Sequence, residues 1–139
     1  MKYTFLEHTA DAKFQAFGKT LEEAFTHAAE AMFKVMVDPE QIKKLVTHDI
    51  FAEGADQKAL LYNFLEELLV LMDAEQFLLH SVSDVSITEK DGLFSITATA
   101  IGDSGEKYES HGQVKAVTYN DMEITKEKDG YIVQVVVDT

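Results

Sequence analysis

Val85-Ser86-Ile87-Thr88-Glu89-Lys90-Asp91-Gly92-Leu93-Phe94-Ser95-Ile96-Thr97-Ala98-Thr99-Ala100 is the stretch on which the fold turns. Val85 and Ile87, then Phe94, Ile96, Ala98 and Ala100, alternate with polar residues on either side of Lys90-Asp91-Gly92. Period-two alternation marks strands with one buried face, and Asp-Gly supplies the positive φ angles of a tight hairpin turn. The same grammar recurs downstream, where Ile124-Thr125 leads through Lys128-Asp129-Gly130 into Tyr131-Ile132-Val133-Gln134-Val135-Val136-Val137. Asn120-Asp121 is placed to turn a strand around Val117 back into Met122. The two Ile-Thr…Lys-Asp-Gly segments echo each other, and so short a similarity reads as shared hairpin chemistry rather than a duplicated unit.

Upstream the period changes. Leu21, Ala24, Phe25, Ala28, Ala29, Met32, Phe33 and Met36 recur at intervals of three and four, one face of a helix, with Thr20 and Glu23 forming a capping box at its start. The helix is expected to stop near Val37, because Asp38 precedes Pro39, the only proline, and a residue before proline avoids the helical region. Asp56 is the expected N-cap of a second helix carrying Leu60, Leu61, Phe64, Leu65, Leu68, Leu69 and Met72 inward, with Gln57, Asn63, Glu66 and Glu67 toward water. Strands before, between and after two amphipathic helices predict an α+β fold: two layers, a mostly antiparallel or mixed sheet with both helices on one face. No linker or low-complexity seam divides residues 1–139, so one domain is expected. The expected irregular segments run from Pro39 to Thr47 and from Gly102 to Gly112, the second given backbone freedom by Gly102, Gly105 and Gly112.

Composition narrows the function classes. The 139 residues suffice for a core burying roughly two thirds of the unfolded surface. Cysteine is absent, which removes disulfides, thiolate metal sites and cysteine nucleophiles, and suits a reducing cytosol. No apolar run reaches the about 18 residues of a membrane span, and Glu7 and Asp11 interrupt the place where a signal peptide needs its apolar core. A cytoplasmic protein without membrane contact is the expectation. The formal charge of −13, from 25 acidic against 12 basic residues, repels phosphate backbones and argues against direct, non-specific nucleic-acid binding. It fits an acidic adaptor that docks onto a basic partner at a salt-sensitive rate.

Two apolar runs end in aspartate at opposite ends of the chain: Phe5-Leu6-Glu7-His8-Thr9-Ala10-Asp11 and Val135-Val136-Val137-Asp138-Thr139. Acidic residues that terminate strands emerge where a sheet meets solvent, so Asp11 and Asp138, if brought together, can hold a hard cation through oxygen. His8 lies three residues before Asp11 and more often serves as a hydrogen-bonded structural residue than as a ligand, and Glu7 is a surface charge or an outer acceptor. Lys115, in a chain poor in cations, stands at the entrance to Lys-Ala-Val-Thr-Tyr and can engage a carboxylate of a partner or a phosphate of its nucleotide. His27, His48 and His80 read as ordinary histidines, and neither His111 nor Thr118 has an evident partner for a nucleophile and base pair. P-loop, His-Glu-x-x-His and Gly-x-Ser-x-Gly patterns are all missing.

Together these residues resemble the archease family. Phe5–Asp11, then Gly18-Lys19-Thr20-Leu21-Glu22-Glu23-Ala24-Phe25 with Ala31-Met32-Phe33, resemble its opening. Leu60-Leu61 through Phe64-Leu65-Glu66-Glu67-Leu68-Leu69, Lys115-Ala116-Val117-Thr118-Tyr119 and terminal Val137-Asp138 resemble its later motifs in the same order. The resemblance implies a non-catalytic accessory protein of the RtcB-type RNA ligase that joins tRNA halves in splicing. Such proteins promote guanylylation of the ligase's active-site histidine, allow multiple turnover and can broaden its nucleotide use. It also implies a divalent cation, typically calcium, where the N-terminal aspartate meets the C-terminal end. Carried onto this sequence the ligands are Asp11, Asp138 and an oxygen of Thr139. Thr139 stands where many relatives have an aliphatic residue, and a main-chain or terminal carboxylate oxygen serves regardless of side chain.

An oxygen-only shell of two carboxylates, main-chain oxygens and water suits Ca²⁺, or Mg²⁺, rather than zinc. The same two acids activating a metal-bound water would instead make a small metal-dependent phosphoester hydrolase, the alternative from another class. A chaperone-like binder of many proteins is a third reading, disfavoured by the acidity.

Overall fold

The computed structural model describes residues 1–7 and 11–139. Among the described residues eight strands and two α-helices follow in the order β1 (Tyr3–Leu6), β2 (Asp11–Gly18), α1 (Leu21–Lys34), β3 (Val46–Gly54), α2 (Gln57–Glu75), β4 (Phe77–Lys90), β5 (Leu93–Ser104), β6 (Ala116–Val117), β7 (Glu123–Glu127) and β8 (Gly130–Asp138). Short 3₁₀ turns occupy Pro39–Gln41 and Gly105–Lys107. Every strand pairing among the described residues is antiparallel. The architecture is the α+β one expected, with the strands divided between two sheets: β1-β2-β8-β6, to which β7 adds along β8, and β3-β5-β4.

Local chemistry accounts for the helix starts. The Thr20 hydroxyl accepts the Glu23 N–H at 3.1 Å, and the Glu23 carboxylate reaches back to the Lys19 N–H at 3.2 Å. The Asp56 carboxylate accepts the Ala59 N–H at 2.8 Å. These bonds satisfy amide donors that have no intrahelical partner. The first helix ends at Lys34, earlier than the Val37 expected from Pro39. The turn beyond it tightens, with the N–H groups of Met36 and Val37 both returning to the Phe33 carbonyl at 2.9 Å. Lys34 also pairs with Asp38 across this exit.

All eight apolar positions assigned to the first helix are buried, and so are Leu60, Leu61, Phe64, Leu65, Leu68 and Leu69 of α2. α1 packs on β2 and β8 of the larger sheet and on β4 of the smaller, while α2 packs on β3 and β5. Phe25 and Phe64 stack where the helices meet, their centroids 6.0 Å apart. This core holds the two sheets together and covers the face of β8 that carries Val133, Val135 and Val137.

Asp91 (φ 53°) and Gly92 (φ 81°) form the two-residue turn between β4 and β5, in the left-handed conformations such a hairpin requires. Gly102 behaves differently from the expectation. It lies in β5 between Val46 and Leu79, and a Cβ there would overlap the Leu78 carbonyl oxygen. Gly112 likewise lies against the Val35 carbonyl. These glycines permit close backbone approach rather than loosening a loop. The segment they frame is pinned by Asp103, only 2 % exposed, whose carboxylate accepts the Tyr108 hydroxyl at 2.7 Å and the Ser104 N–H at 2.8 Å, with Lys107 Nζ 3.3 Å away. The stretch after Pro39 is less irregular than expected, since β3 begins at Val46. No helix among the described residues is long and apolar enough to cross a membrane.

Candidate functional site

The register of β2 against β8 brings the two ends of the chain together. Asp11 is the partner of Asp138, Ala12 of Val137 and Lys13 of Val136. On the other side of β8, Ala116 is also a partner of Asp138, and the Lys115 N–H donates to the Asp138 carbonyl at 2.7 Å. Val137 is fully buried, which turns Asp138, one residue on, to the outer face. Opposed residues of an antiparallel pair project to one face with Cβ atoms roughly 4.5–5.5 Å apart, so Asp11 and Asp138 share that face. Thr139 follows directly and is exposed, as are Asp138 and Lys115.

The next rows of the same face were not singled out in the sequence. Lys13 Nζ lies 3.5 Å from the Asp121 carboxylate, and the side chain of Lys13 is largely covered. Val136, opposite Lys13, is fully buried although it lies on this outer face. The Thr118 hydroxyl donates to the Val136 carbonyl at 2.8 Å and accepts the Asn120 N–H at 3.3 Å. One row further, the Gln15 amide donates to Gln134 at 3.0 Å, and Gln134 in turn donates to the Asp121 carbonyl at 2.8 Å. A polar lattice therefore braces the turn through Asp121 (φ 51°) against β2 and β8. Alternation along β2 points to Lys13 and Gln15 as companions of Asp11 on one face. Their partners in β8 and beyond depend on a register that local sequence does not carry.

Two opposed carboxylates flanked by main-chain oxygens are hard donors that match the oxygen preference of calcium or magnesium. Among the described residues no three or more His, Cys, Asp or Glu side chains gather into a metal-holding group. A cation between Asp11 and Asp138 would therefore complete its shell with main-chain oxygen, Thr139 and water. His8 lies outside the described residues, and Glu7, at the end of the first strand, is exposed. The remaining histidines sit elsewhere. His27 Nδ1 lies 2.5 Å from the Phe17 carbonyl, and His48 meets the Phe77 ring edge-on. His80 lies 2.8 Å from the Ser81 hydroxyl, with burial the main cause lowering its pKa, and the His111 N–H donates to the Met36 carbonyl.

The fold and this arrangement define a class of protein: a small α+β domain in which the last strand zips onto the strand opened by an N-terminal aspartate. Two carboxylates are thereby left facing each other where the chain ends join. The chain belongs to the archease family, since the model described as the Archease protein family (MTH1598/TM1083) matches residues 3–139. The archease of Methanosarcina barkeri is 44% identical over 142 residues, spanning 99% of this chain and 95% of that protein. The archease of Pyrococcus furiosus is 45% identical over 126 residues, 89% of this chain and 88% of that one. The solution structure of Methanobacterium thermoautotrophicum protein 1598 superposes with a TM-score of 0.85 at 37% identity, covering 99% of each chain. The crystal structure of an archease from Thermotoga maritima, described as a possible chaperone, shares the fold, with a TM-score of 0.54 at 19% identity over 96% of this chain and 94% of that one.

Proposed function

We propose that this archease activates an RtcB-type RNA ligase in tRNA splicing, promoting guanylylation of the ligase and its repeated turnover without catalysing the joining itself. A divalent cation, calcium in the first instance and magnesium in the second, is held by Asp11, Asp138 and an oxygen of Thr139. The observation that carries the reading is the Asp11–Asp138 register pair, in a chain whose family is established over nearly its whole length. Like charges directly opposed across a ladder destabilise it. A cation between them relieves that repulsion and ties the last strand to the start of β2. The bound ion supplies a positive centre at an otherwise acidic face. Lys115, exposed beside Asp138, adds the side chain that reaches a carboxylate of the ligase or a phosphate of its nucleotide. The protein works in the cytoplasm and has no need of direct nucleic-acid contact, because the ligase holds the RNA.

The test is a single-turnover assay of the cognate ligase with GTP and a divalent metal, to which this protein is added in substoichiometric amount. Covalent guanylylated ligase should form faster, and each molecule of activator should serve many of ligase. An unchanged rate would overturn the reading. Turnover of a phosphoester by the isolated chain would favour the hydrolase alternative instead.

A further inference from the structure

Tyr62 on α2 and Tyr119, two residues beyond β6, stack almost perfectly parallel, with centroids 4.3 Å apart and ring planes 5° from each other. Tyr119 is 54% exposed, an unusual position for a large ring with so well defined a partner. Its backbone is fixed on both sides. The Thr118 N–H donates to the Val136 carbonyl at 3.2 Å, and the Met122 N–H closes a turn onto the Tyr119 carbonyl at 3.2 Å. Stacking on Tyr62 covers one face of the Tyr119 ring and leaves the other for a ligand, already oriented and with little side-chain freedom left to lose.

Asp56 stands at the N-terminus of α2, the helix that carries Tyr62. One of its oxygens caps the Ala59 N–H, and a carboxylate keeps a second acceptor oxygen. Burial first, then Tyr62 and Asp56, raise the pKa of the Tyr119 phenol, which places the acid within electrostatic reach of the stack. Glu66, four residues after Tyr62 on α2, adds acidity along the same helix face, while Lys58, four residues before, is the basic member of that rim.

Three flat groups can stack on an exposed tyrosine. A nucleobase brings phosphate into a chain of net charge −13 and against Asp56, and an aromatic side chain leaves that carboxylate without a partner. A guanidinium satisfies both features, since it is planar, stacks on aromatic faces, and offers a fork of donors to a carboxylate. We propose that the open face of Tyr119, together with the Asp56 carboxylate at the N-terminus of α2, is a capture site for an arginine side chain of a basic protein partner. The site does not depend on a cation at Asp11 and Asp138.

The test uses the full chain, without metal or ligase, so its failure is separate from failure of the activation assay. The peptides acetyl-Gly-Arg-Gly-Arg-Gly-amide and its lysine counterpart are titrated in while the ring signals of the five tyrosines are followed by NMR. The arginine peptide should shift Tyr62 and Tyr119 selectively, and the lysine peptide should bind roughly two- to five-fold more weakly. Tyr119→Leu should abolish the selective response. Asp56→Asn, which keeps the helix cap, should weaken it several-fold with the helical signal in circular dichroism unchanged, so it decides the matter even if the tyrosine variant folds poorly. Equal responses to both peptides, shifts spread over the acidic surface, or a stronger response to AMP would overturn the proposal.

Discussion

Asp138 stands directly opposite Asp11 across the β2–β8 ladder, and the pair one step inward, Ala12 with Val137, is turned to the core. The acids are thus held by burial of their neighbours rather than by anything they gain from each other. Removing one charge should relieve the ladder by ~0.2–1 kcal/mol in the absence of metal. Urea unfolding of Asp138→Asn in EDTA is expected to match or exceed wild type. In millimolar calcium the order should reverse, because only wild type gains binding free energy, about 2.7 kcal/mol at a hundredfold excess over Kd. Activation of the ligase should be lost in this variant and in Asp11→Ala while unfolding stays cooperative. A wild-type midpoint indifferent to calcium would count against the cation site.

Lys115 separates docking from metal binding. Its N–H holds the Asp138 carbonyl through the main chain, which any substitution other than proline preserves, and its side chain is exposed. Lys115→Ala should therefore bind calcium as wild type does by calorimetry and yet activate poorly. Loss of metal with activation intact would reverse the roles assigned to it.

The Asp103 knot gives a pH signature. The Tyr108 hydroxyl, then the Ser104 N–H and Lys107, hold the Asp103 carboxyl below its ordinary pKa against the opposing effect of burial. A depressed folded-state value means that the stabilisation is present above the unfolded carboxyl pKa, about 3.9, and is lost as pH falls through the folded value. Tyr108→Phe removes the leading contribution together with a 3.0 Å bond from the Lys43 N–H, and the latter does not titrate. The gap in urea midpoint between wild type and variant should be widest near neutrality and narrow below pH 4. A gap constant with pH would place the whole effect in the Lys43 bond.

What was legible in the sequence was what local chemistry decides. Thr20 with Glu23, Asp56, and Asp91-Gly92 each act within four residues of themselves, and each sits where expected. The third strand was harder to see. Its inward positions, Val46, His48, Ile50, Ala52 and Gly54, include a histidine, an alanine and a glycine that dilute the alternation. Division of the strands into two sheets was not legible, because periodicity says that a face is buried and not which strand lies beside it. The acid pair falls between these cases. Strand-ending aspartates could be picked out singly, whereas their opposition depends on the β2–β8 register, and Asp121 and Gln134 join the site only through that register.

Gly92 and Gly102 mark the same boundary and can be told apart by one substitution each. At Gly92 an added Cβ meets nothing within 4 Å, so the only cost of Gly92→Ala is holding alanine at positive φ, about 1–2 kcal/mol. At Gly102 the φ is unremarkable, but the Cβ would drive into the Leu78 carbonyl and against the Phe77 ring, beside the register shift that carries β4 past His80. Backbone on both sides of β5 leaves no room to yield, since Leu45, just before β3, donates to the Gly102 carbonyl at 2.9 Å from the opposite side. Gly102→Ala should cost ~3 kcal/mol or more and Gly92→Ala clearly less, both read from urea unfolding at neutral pH. Equal costs would mean that β4 and β5 can separate locally, and that the buried Asp103 next in sequence is not fixed as tightly as its four bonds require.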